Sequence, residues 1–194
     1  AVNRGFEAAS GVYFTILDAD DQLSTDSISK RISALQADQA DLCIGSFEVC
    51  YQGIVQSVRS IEEYAGRNRE YLKRHLLSTI ISPIHQNTML FSKRLLQRTG
   101  LMDPRMIRGQ DKDFAIRLIQ NCNTLTYVEE PVYRYYRYDR PLKKRITNRL
   151  IGMRYKLEVI YRYAYSWRKG IYFLWGMAVE GAKFIYDLFG IYKK

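Results

Sequence analysis

Residues 13–21 read Tyr-Phe-Thr-Ile-Leu-Asp-Ala-Asp-Asp, an apolar run that ends in three aspartates within four positions. The run is rich in β-branched and aromatic residues, which predicts a buried strand over 12–17 that brings Asp18, Asp20 and Asp21 to the edge of a sheet. Like charges about 4 Å apart repel by roughly 4 kcal/mol at an effective dielectric constant near 20. The cluster therefore favours a bound divalent cation such as Mg²⁺ or Mn²⁺; the alternative is a solvated turn whose aspartates cap the next helix.

Three known templates place carboxylates at such a turn, and the neighbouring residues distinguish between them. A calcium-binding EF-hand loop needs Gly at its sixth position, counted from Asp18, where this chain has Leu23. A phosphatase of the haloacid dehalogenase type continues its D-x-D with Gly-Thr, whereas Asp20 is followed here by Asp21-Gln22. The remaining template is a metal-dependent nucleotide-sugar site, in which the carboxylates hold the ion that bridges the diphosphate. A D-x-D phosphotransferase stays as the alternative enzyme.

A second acidic cluster lies at residues 108–114, Arg-Gly-Gln-Asp-Lys-Asp-Phe. Gly109 gives the backbone freedom to turn, and Asp111 and Asp113 stand at the predicted start of a helix. One interpretation is structural, because acidic side chains at a helix N-terminus are stabilised by about 0.3–1 kcal/mol each. The other is catalytic, because a carboxylate in a cleft can serve as the general base for an acceptor hydroxyl.

A third segment, residues 131–138, reads Pro-Val-Tyr-Arg-Tyr-Tyr-Arg-Tyr and predicts a strand with polar side chains on one side. Arginines such as Arg134 and Arg137 can bind phosphate, and we expect Arg137 to contact the nucleotide sugar. Packing of tyrosine against arginine across neighbouring strands explains the same pattern equally well.

Helical and strand-like segments alternate along the chain, which predicts an α/β fold. Helices are expected at 3–10, 24–39, 62–77, 93–99 and 111–121, and from 145 to the C-terminus. Gly11 should end the first helix, Ser24 or Thr25 should cap the second, and Ser92 and Gly100 should bound the fourth. The helix at 62–77 is expected to be charged and exposed. Strands are expected at 12–17, 41–51, 88–91, 125–128 and 132–138, with Gln52-Gly53 turning a hairpin into 54–58. Pro83 breaks the pattern after the charged helix.

In their order and spacing, these segments resemble the family 2 glycosyltransferases. The similar stretches are 3–11, 17–21, 89–96, 100–103, 109–118 and 131–137. The resemblance implies a GT-A fold, a Rossmann-like mixed sheet flanked by helices, over residues 1–140, with 141–194 as a basic, tyrosine-rich helical extension. It also implies that the domain's N-terminal strands, which hold the nucleotide base, are missing, so that this truncated chain alone could be inactive.

The family's functional residues can be carried over one at a time, as implications of the resemblance. Asp20 matches the metal-ligating member of the D-x-D, with Asp18 and Asp21 beside it near the ribose and diphosphate and Mn²⁺ or Mg²⁺ as the cofactor. Asp111 matches the catalytic base of inverting members, and Asp113 matches a second acidic position that supports the site.

The implied reaction is an in-line attack by an acceptor hydroxyl on the anomeric carbon of a nucleoside-diphosphate sugar. The acceptor is expected to be a glycan or a lipid-linked molecule, as in the synthesis of cell-surface polysaccharides. Two departures from the family pattern stand out. Gln110 occupies a position where the family usually has Glu, and the segment 139–142 replaces a His or Gly-Ser-containing segment.

The chain carries thirty Lys and Arg residues against twenty Asp and Glu residues, a net charge of +10. That balance favours an anionic partner. The aspartate clusters argue against nucleic acid at the main cleft, since they would repel phosphates that no metal ion bridges. A basic module that binds membrane or nucleic acid without catalysis is the non-enzymatic alternative.

Cysteine and histidine are sparse, and neither is spaced as in a metal site. Cys43, Cys50 and Cys122 predict free buried thiols in a reducing cytosol. His75 and His85 lie ten residues apart without a ligand-like partner, so we expect each to be structural or exposed.

The last third of the chain mixes basic and aromatic residues. From 171 to 189 apolar residues trace one helical face that Glu180, Lys183 and Asp187 interrupt, so the pattern does not predict a membrane-spanning helix. Basic residues among interfacial aromatics suit a helix lying on an anionic membrane, whereas packing on the core or in a homodimer explains them equally well. We therefore expect a cytoplasmic protein, with peripheral attachment to the inner face of the cell membrane as the open alternative.

Overall fold

The computed structural model describes residues 1–78, 84–139, 141–165 and 168–189. Its α-helices are α1 Val2–Ala8, α2 Ser27–Ala37, α3 Arg69–Ser78, α4 Lys93–Thr99, α5 Gln110–Asn121, α6 Leu142–Tyr163 and α7 Lys169–Phe189. Its strands are β1 Tyr13–Phe14, β2 Gln22–Leu23, β3 Leu42–Tyr51, β4 Ile54–Arg59, β5 Met89–Ser92 and β6 Leu125–Arg137. Two short 3₁₀ helices, Glu62–Tyr64 and Gln86–Thr88, lie between these elements.

The strands form one mixed sheet in the order β1-β5-β3-β6-β2, with β4 also paired to β3. β6 runs parallel to β3 along its whole length, whereas β5 and β4 pair antiparallel with the other edge of β3. The two short strands β1 and β2 add antiparallel to β5 and β6. β3 lies at the centre of the sheet, and its first six residues are all buried, as expected for a strand that is covered on both faces.

Helices cover both faces of this sheet. On one face a large apolar cluster joins the sheet to α1, α3, α4, α5 and α6, and the rings of Phe6, Phe14, Phe91 and Phe114 pack together within it. On the other face Leu35 of α2 belongs to a smaller cluster. The arrangement confirms the predicted mixed sheet flanked by helices.

The prediction of two strands at 125–128 and 132–138 is wrong, because β6 continues through Glu129-Glu130-Pro131. The pairing of β6 with β3 shifts register on either side of Ser46, so the extra residues bulge out of the ladder without ending the strand. Next to the bulge, Gly45 lets Val132 approach closely, since a Cβ atom there would lie 2.4 Å from Cγ2 of Val132.

The prediction of one exposed helix over 62–77 is also wrong. Gly66 has φ +74° and separates the 3₁₀ turn at Glu62–Tyr64 from α3. Leu72, Leu76 and Leu77 of α3 are buried in the main core, so the helix is amphipathic and most of its charged residues lie on the other side.

Several helix ends differ from the sequence expectation. Ser24 and Thr25 do not cap α2; the Ser24 hydroxyl instead donates to the carbonyl of Pro131 at 3.0 Å, and α2 begins at Ser27. α1 ends at Ala8, before Gly11, and β1 covers only two residues of the predicted strand 12–17. α6 begins at Leu142, three residues before the predicted start. Pro83 lies outside the described residues.

Other local predictions are confirmed. The turn between β3 and β4 has positive φ at both central residues, Gln52 and Gly53. The Ser92 hydroxyl accepts from the amide of Leu95 and caps α4, which Gly100 ends with φ +75°. Cys43, Cys50 and Cys122 are free and buried, as expected. Among the described residues no helix has both the length and the apolar character needed to cross a bilayer.

Candidate functional site

The turn after β1 holds the first aspartate cluster. The amide of Asp21 donates to the carbonyl of Asp18 at 3.1 Å, which closes a tight turn, and the next residues pair with β6 as β2. Asp18 and Asp20 are exposed, whereas Asp21 is only 8% exposed. Both Asp21 oxygens have protein partners: Oδ1 accepts from the amide of Tyr136 at 2.7 Å and Oδ2 accepts from the Tyr133 hydroxyl. Asp21 therefore fixes the turn, and Asp18 and Asp20 are the carboxylates that face solvent.

A buried pair, Asn87 and Tyr133, connects this turn to the sheet. The Asn87 side-chain amide donates to Oδ2 of Asp18 at 2.8 Å and to the Tyr133 hydroxyl at 2.6 Å. Burial raises the pKa of Tyr133 well above its usual range, so this hydroxyl stays protonated and can donate to Asp21. Burial likewise raises the pKa of Asp21, while the hydrogen bonds from Tyr133 and Tyr136 oppose that shift. The network holds Asp18 and Asp21 in fixed positions.

The second aspartate cluster begins α5. Gly109, at φ +72°, turns the chain into the helix, and Asp111 in the first turn keeps 43% of its side chain exposed. Asp111 Oδ2 lies 3.9 Å from Nε2 of His85. The amide of Asn87 donates to Nδ1 of His85 at 3.3 Å, so the neutral ring carries its hydrogen on Nε2, the nitrogen that faces Asp111.

His85 joins the two clusters. Its ring stacks on Tyr133 with centroids 6.4 Å apart, and Phe47 packs beside it at 6.3 Å. Contacts therefore run without a break from Asp18 through Asn87 and Tyr133 to His85 and Asp111. The two aspartate clusters, about ninety residues apart in the sequence, therefore lie on one network of contacts.

Asp113 has a different environment from Asp111. It is 1% exposed, and its carboxylate accepts from Arg117 Nε at 2.9 Å, from the Tyr163 hydroxyl at 2.7 Å and from Arg162 Nη1 at 3.4 Å. Burial, and next to it the hydrogen bond to Asp113, raises the pKa of Tyr163. Because Arg162 and Tyr163 belong to α6, the hydrogen bonds of Asp113 hold α5, the helix that carries Asp111, against α6.

The two arginines of β6, Arg134 and Arg137, also have different surroundings. Arg134 forms an ion pair with Glu48 at 2.6 Å and is engaged within the sheet. Arg137 ends β6 opposite Tyr51, whose hydroxyl donates to Asp139 at 2.7 Å. Both arginines lie on the C-terminal half of β6, among the residues that contact the Asp21 turn: Arg134 pairs with Gln22 of β2, and Arg137 follows Tyr136, whose amide donates to Asp21.

The exposed carboxylates suit a hard divalent cation. No group of three or more His, Cys, Asp or Glu side chains in the described part of the chain is arranged to enclose an ion. Asp18 and Asp20 nevertheless offer oxygen ligands, and Mg²⁺ is usually bound by one or two carboxylates together with substrate phosphates. The donor set therefore fits an ion that arrives with a diphosphate.

Sequence reasoning did not identify Asn87, Tyr133 or His85 as site residues. His85 was expected to be structural or exposed, and it has a 32% exposed side chain beside Asp111. The only signal in the sequence was that 131–137 resembles the last strand of the domain, the strand that brings Tyr133 next to the Asp21 turn.

Comparisons with known proteins agree with this architecture. A family model described as "Glycosyl transferase family 2" matches residues 1–100. The crystal structure of S. aureus TarS 1–349 aligns with TM-score 0.59 and 14% identity, covering 93% of this chain and 50% of that one. The same protein in complex with UDP-GlcNAc aligns with TM-score 0.55 and 14% identity, covering 97% and 52% of the two chains. Its complex with UDP aligns with TM-score 0.57 and 15% identity, covering 97% and 50%.

No curated protein sequence matches the chain. At identities of 14–15% the likeness to the TarS structures concerns the fold, which is GT-A as predicted. The chain spans about half the length of the solved structures it matches.

Proposed function

The chain belongs to glycosyl transferase family 2, and on this premise we propose that it transfers a sugar from a nucleoside-diphosphate sugar to a hydroxyl acceptor. The acceptor is a glycan or a lipid-linked molecule, and UDP-GlcNAc, which one similar structure contains, is the first donor to test. The observation that carries the proposal is the unbroken contact path from Asp18 to Asp111, because a diphosphate bound at Asp18 and Asp20 and a carboxylate base at Asp111 would then belong to one site.

Asp18 and Asp20 would hold a Mn²⁺ or Mg²⁺ ion at the diphosphate. When bound, such an ion neutralises the charge that develops on the departing nucleoside diphosphate. The protein's part is to keep the two carboxylates on the solvent side of the turn, which Asp21 does through its hydrogen bonds with Tyr133 and Tyr136. Arg137 is proposed as a further contact to the nucleotide sugar.

Asp111 is proposed as the general base. The acceptor oxygen attacks the anomeric carbon, the bond from that carbon to the diphosphate oxygen breaks, and the acceptor proton passes to Asp111. Attack from the face opposite the leaving group inverts the anomeric configuration. His85 positions the base, because its Nε2 lies 3.9 Å from Oδ2 of Asp111.

The test is release of UDP from UDP-GlcNAc in the presence of Mn²⁺ and candidate hydroxyl acceptors. It uses the chain together with any residues that its gene encodes upstream, because the similar structures are about twice as long. We expect Asp111→Asn to lower turnover by roughly 10²–10⁴-fold without weakening nucleotide binding. Asp26→Asn, an exposed aspartate at the start of α2, is the matched control. Turnover retained by Asp111→Asn would overturn the assignment of the base.

A further inference from the structure

The positive charge of this protein is concentrated at one end. Residues 141–194 contain twelve of the thirty Lys and Arg residues but only three of the twenty Asp and Glu residues. This segment therefore carries +9 of the net +10, and residues 1–140, which include both aspartate clusters, carry +1. The part of the chain whose charge most favours an anionic partner is thus the C-terminal segment.

These helices form an antiparallel hairpin whose inner side is packed on the rest of the protein. Gly176 of α7 lies against Ile160 of α6, where an added Cβ would be 3.2 Å from Cδ1 of Ile160. Glu180 forms ion pairs across the hairpin with Lys156 at 3.5 Å and Arg149 at 3.8 Å. Tyr155, Val159 and Ile160 of α6 belong to the main core. The hairpin is therefore part of the folded domain, and α7 lies in a defined orientation.

The outer side of α7 is apolar and exposed. Leu174 is 70% exposed and Ile171 is 64% exposed. The other large exposed side chains of this helix are Phe173, Trp175, Met177 and Ile185. The carboxylate of Glu180, one of the charges that interrupt the apolar pattern in the sequence, faces inward to its α6 partners and does not lie on this surface. Six large apolar side chains on one helix form a patch that is typical of a docking site.

Cationic and aromatic side chains border this patch. Lys143 and Lys144 are exposed at the start of α6, which lies beside the end of α7 because the hairpin is antiparallel. At the other end of the hairpin, Lys169 Nζ lies 4.2 Å from the centroid of the Tyr161 ring. Trp175 donates its indole N–H to the carbonyl of Ser78 at 2.7 Å, which fixes the ring at the edge of the patch.

We propose that the outer face of α7 docks on an anionic lipid bilayer, with the basic residues of the hairpin against the lipid headgroups. An exposed aliphatic and aromatic helix face flanked by Lys and Arg is the composition of an interfacial helix. Each Lys or Arg near such a surface strengthens binding by about fivefold, so the charge asymmetry of this chain directs binding to the hairpin. Docking on nucleic acid would leave the aliphatic side chains Ile171 and Leu174 in water, and a second copy of this chain would bring two strongly positive segments together.

The test is co-sedimentation of the full chain with vesicles of phosphatidylcholine alone and with added phosphatidylglycerol, at low and at high salt. We expect binding to the anionic vesicles that weakens at high salt. Leu174→Glu should reduce binding by roughly tenfold or more, since burying a leucine side chain contributes about 1.5–3 kcal/mol. Ile54→Glu, which changes a 66% exposed residue on β4, should bind as the unchanged protein does. Lys143→Gln combined with Lys144→Gln should weaken anionic binding by roughly tenfold or more.

Three results would overturn the proposal. One is anionic-vesicle binding that Leu174→Glu leaves intact. Another is binding to single-stranded or duplex nucleic acid with no binding to vesicles. The third is a dimer in solution that Leu174→Glu dissociates, together with no vesicle binding, which would assign the face to a second copy. Circular dichroism of each variant distinguishes loss of docking from loss of folding.

Discussion

Replacing Asp113 with Asn tests the structural role of the buried aspartate of α5 separately from Asp111, the proposed base. Asp113 is 1% exposed and receives hydrogen bonds from Arg117, Arg162 and Tyr163. The substitution removes the buried negative charge and turns an amide NH₂ group toward cationic or hydroxyl donors. Breaking one partner of a buried ion pair typically costs about 3–5 kcal/mol. The two arginine side chains are 19% and 26% exposed, so water can partly solvate them, and we expect a loss of about 2–4 kcal/mol.

The assay is urea unfolding followed by circular dichroism, with a thermal melt beside it. For a chain of this length a loss of about 3 kcal/mol corresponds to a drop in Tm of roughly 6–12 °C. Asp111→Asn is the matched control, because the Asp111 side chain is 43% exposed and surface substitutions usually change stability by less than about 0.5 kcal/mol. Equal stabilities of Asp113→Asn and Asp111→Asn would refute the reasoning that Asp113 holds α6 against α5.

Three further changes test other parts of the account. Tyr133→Phe should lower the free energy of unfolding by about 1–3 kcal/mol and weaken nucleotide binding, because Asp21 loses its buried donor; urea unfolding and calorimetry measure the two effects. Burial lowers the pKa of His75 below its usual 6.5, so protonation favours the unfolded chain. The contribution of neutral His75 to the free energy of unfolding should therefore be fully present above about pH 6.5 and be lost as the pH falls below it. In urea titrations at several pH values, His75→Gln should flatten this dependence of stability on pH. Gly45→Ala should cost about 1–3 kcal/mol in the same unfolding assay, because the new Cβ meets Val132; no loss would contradict the close approach of β3 and β6.

Local patterns predicted much of the fold. The hairpin at Gln52-Gly53 and the helix between Ser92 and Gly100 were predictable because turn and cap residues act within a few positions. The course of β6 was not, since Glu129-Glu130-Pro131 looks like a break until β3 provides a partner that tolerates the bulge. Parallel pairing to a central strand is information that the segment itself does not carry.

The burial of α3 is a second feature that the local sequence did not predict. Its charged residues predicted full exposure, yet Leu72, Leu76 and even Lys73 are buried. Lys73 forms an ion pair with Glu70 at 2.7 Å and lies 4.7 Å from the centroid of the Tyr165 ring. A long charged side chain can thus cover apolar surface when its head has partners, which composition alone does not reveal.

Some residues of the candidate site were predictable from short motifs, and others were not. The aspartates were found because each cluster is a short motif next to a predicted strand or helix. Asn87, Tyr133 and His85 belong to no such motif, and they meet the aspartates only through the order of strands in the sheet. The sequence also grouped Asp111 with Asp113, whereas the structure places one in an open site and the other in a buried ion-pair cluster.

The most direct test of the central claim is calorimetric titration with UDP in the presence and absence of Mn²⁺. It compares the chain, extended by any upstream residues that its gene encodes, with its Asp20→Ala variant and the control Asp26→Asn. The account predicts Mn²⁺-dependent binding that Asp20→Ala abolishes and Asp26→Asn retains, because Asp20 is an exposed carboxylate of the turn that is proposed to bind the diphosphate. Binding that is unchanged by Asp20→Ala, or absent from every version, would contradict a nucleotide-sugar site at the Asp18–Asp21 turn.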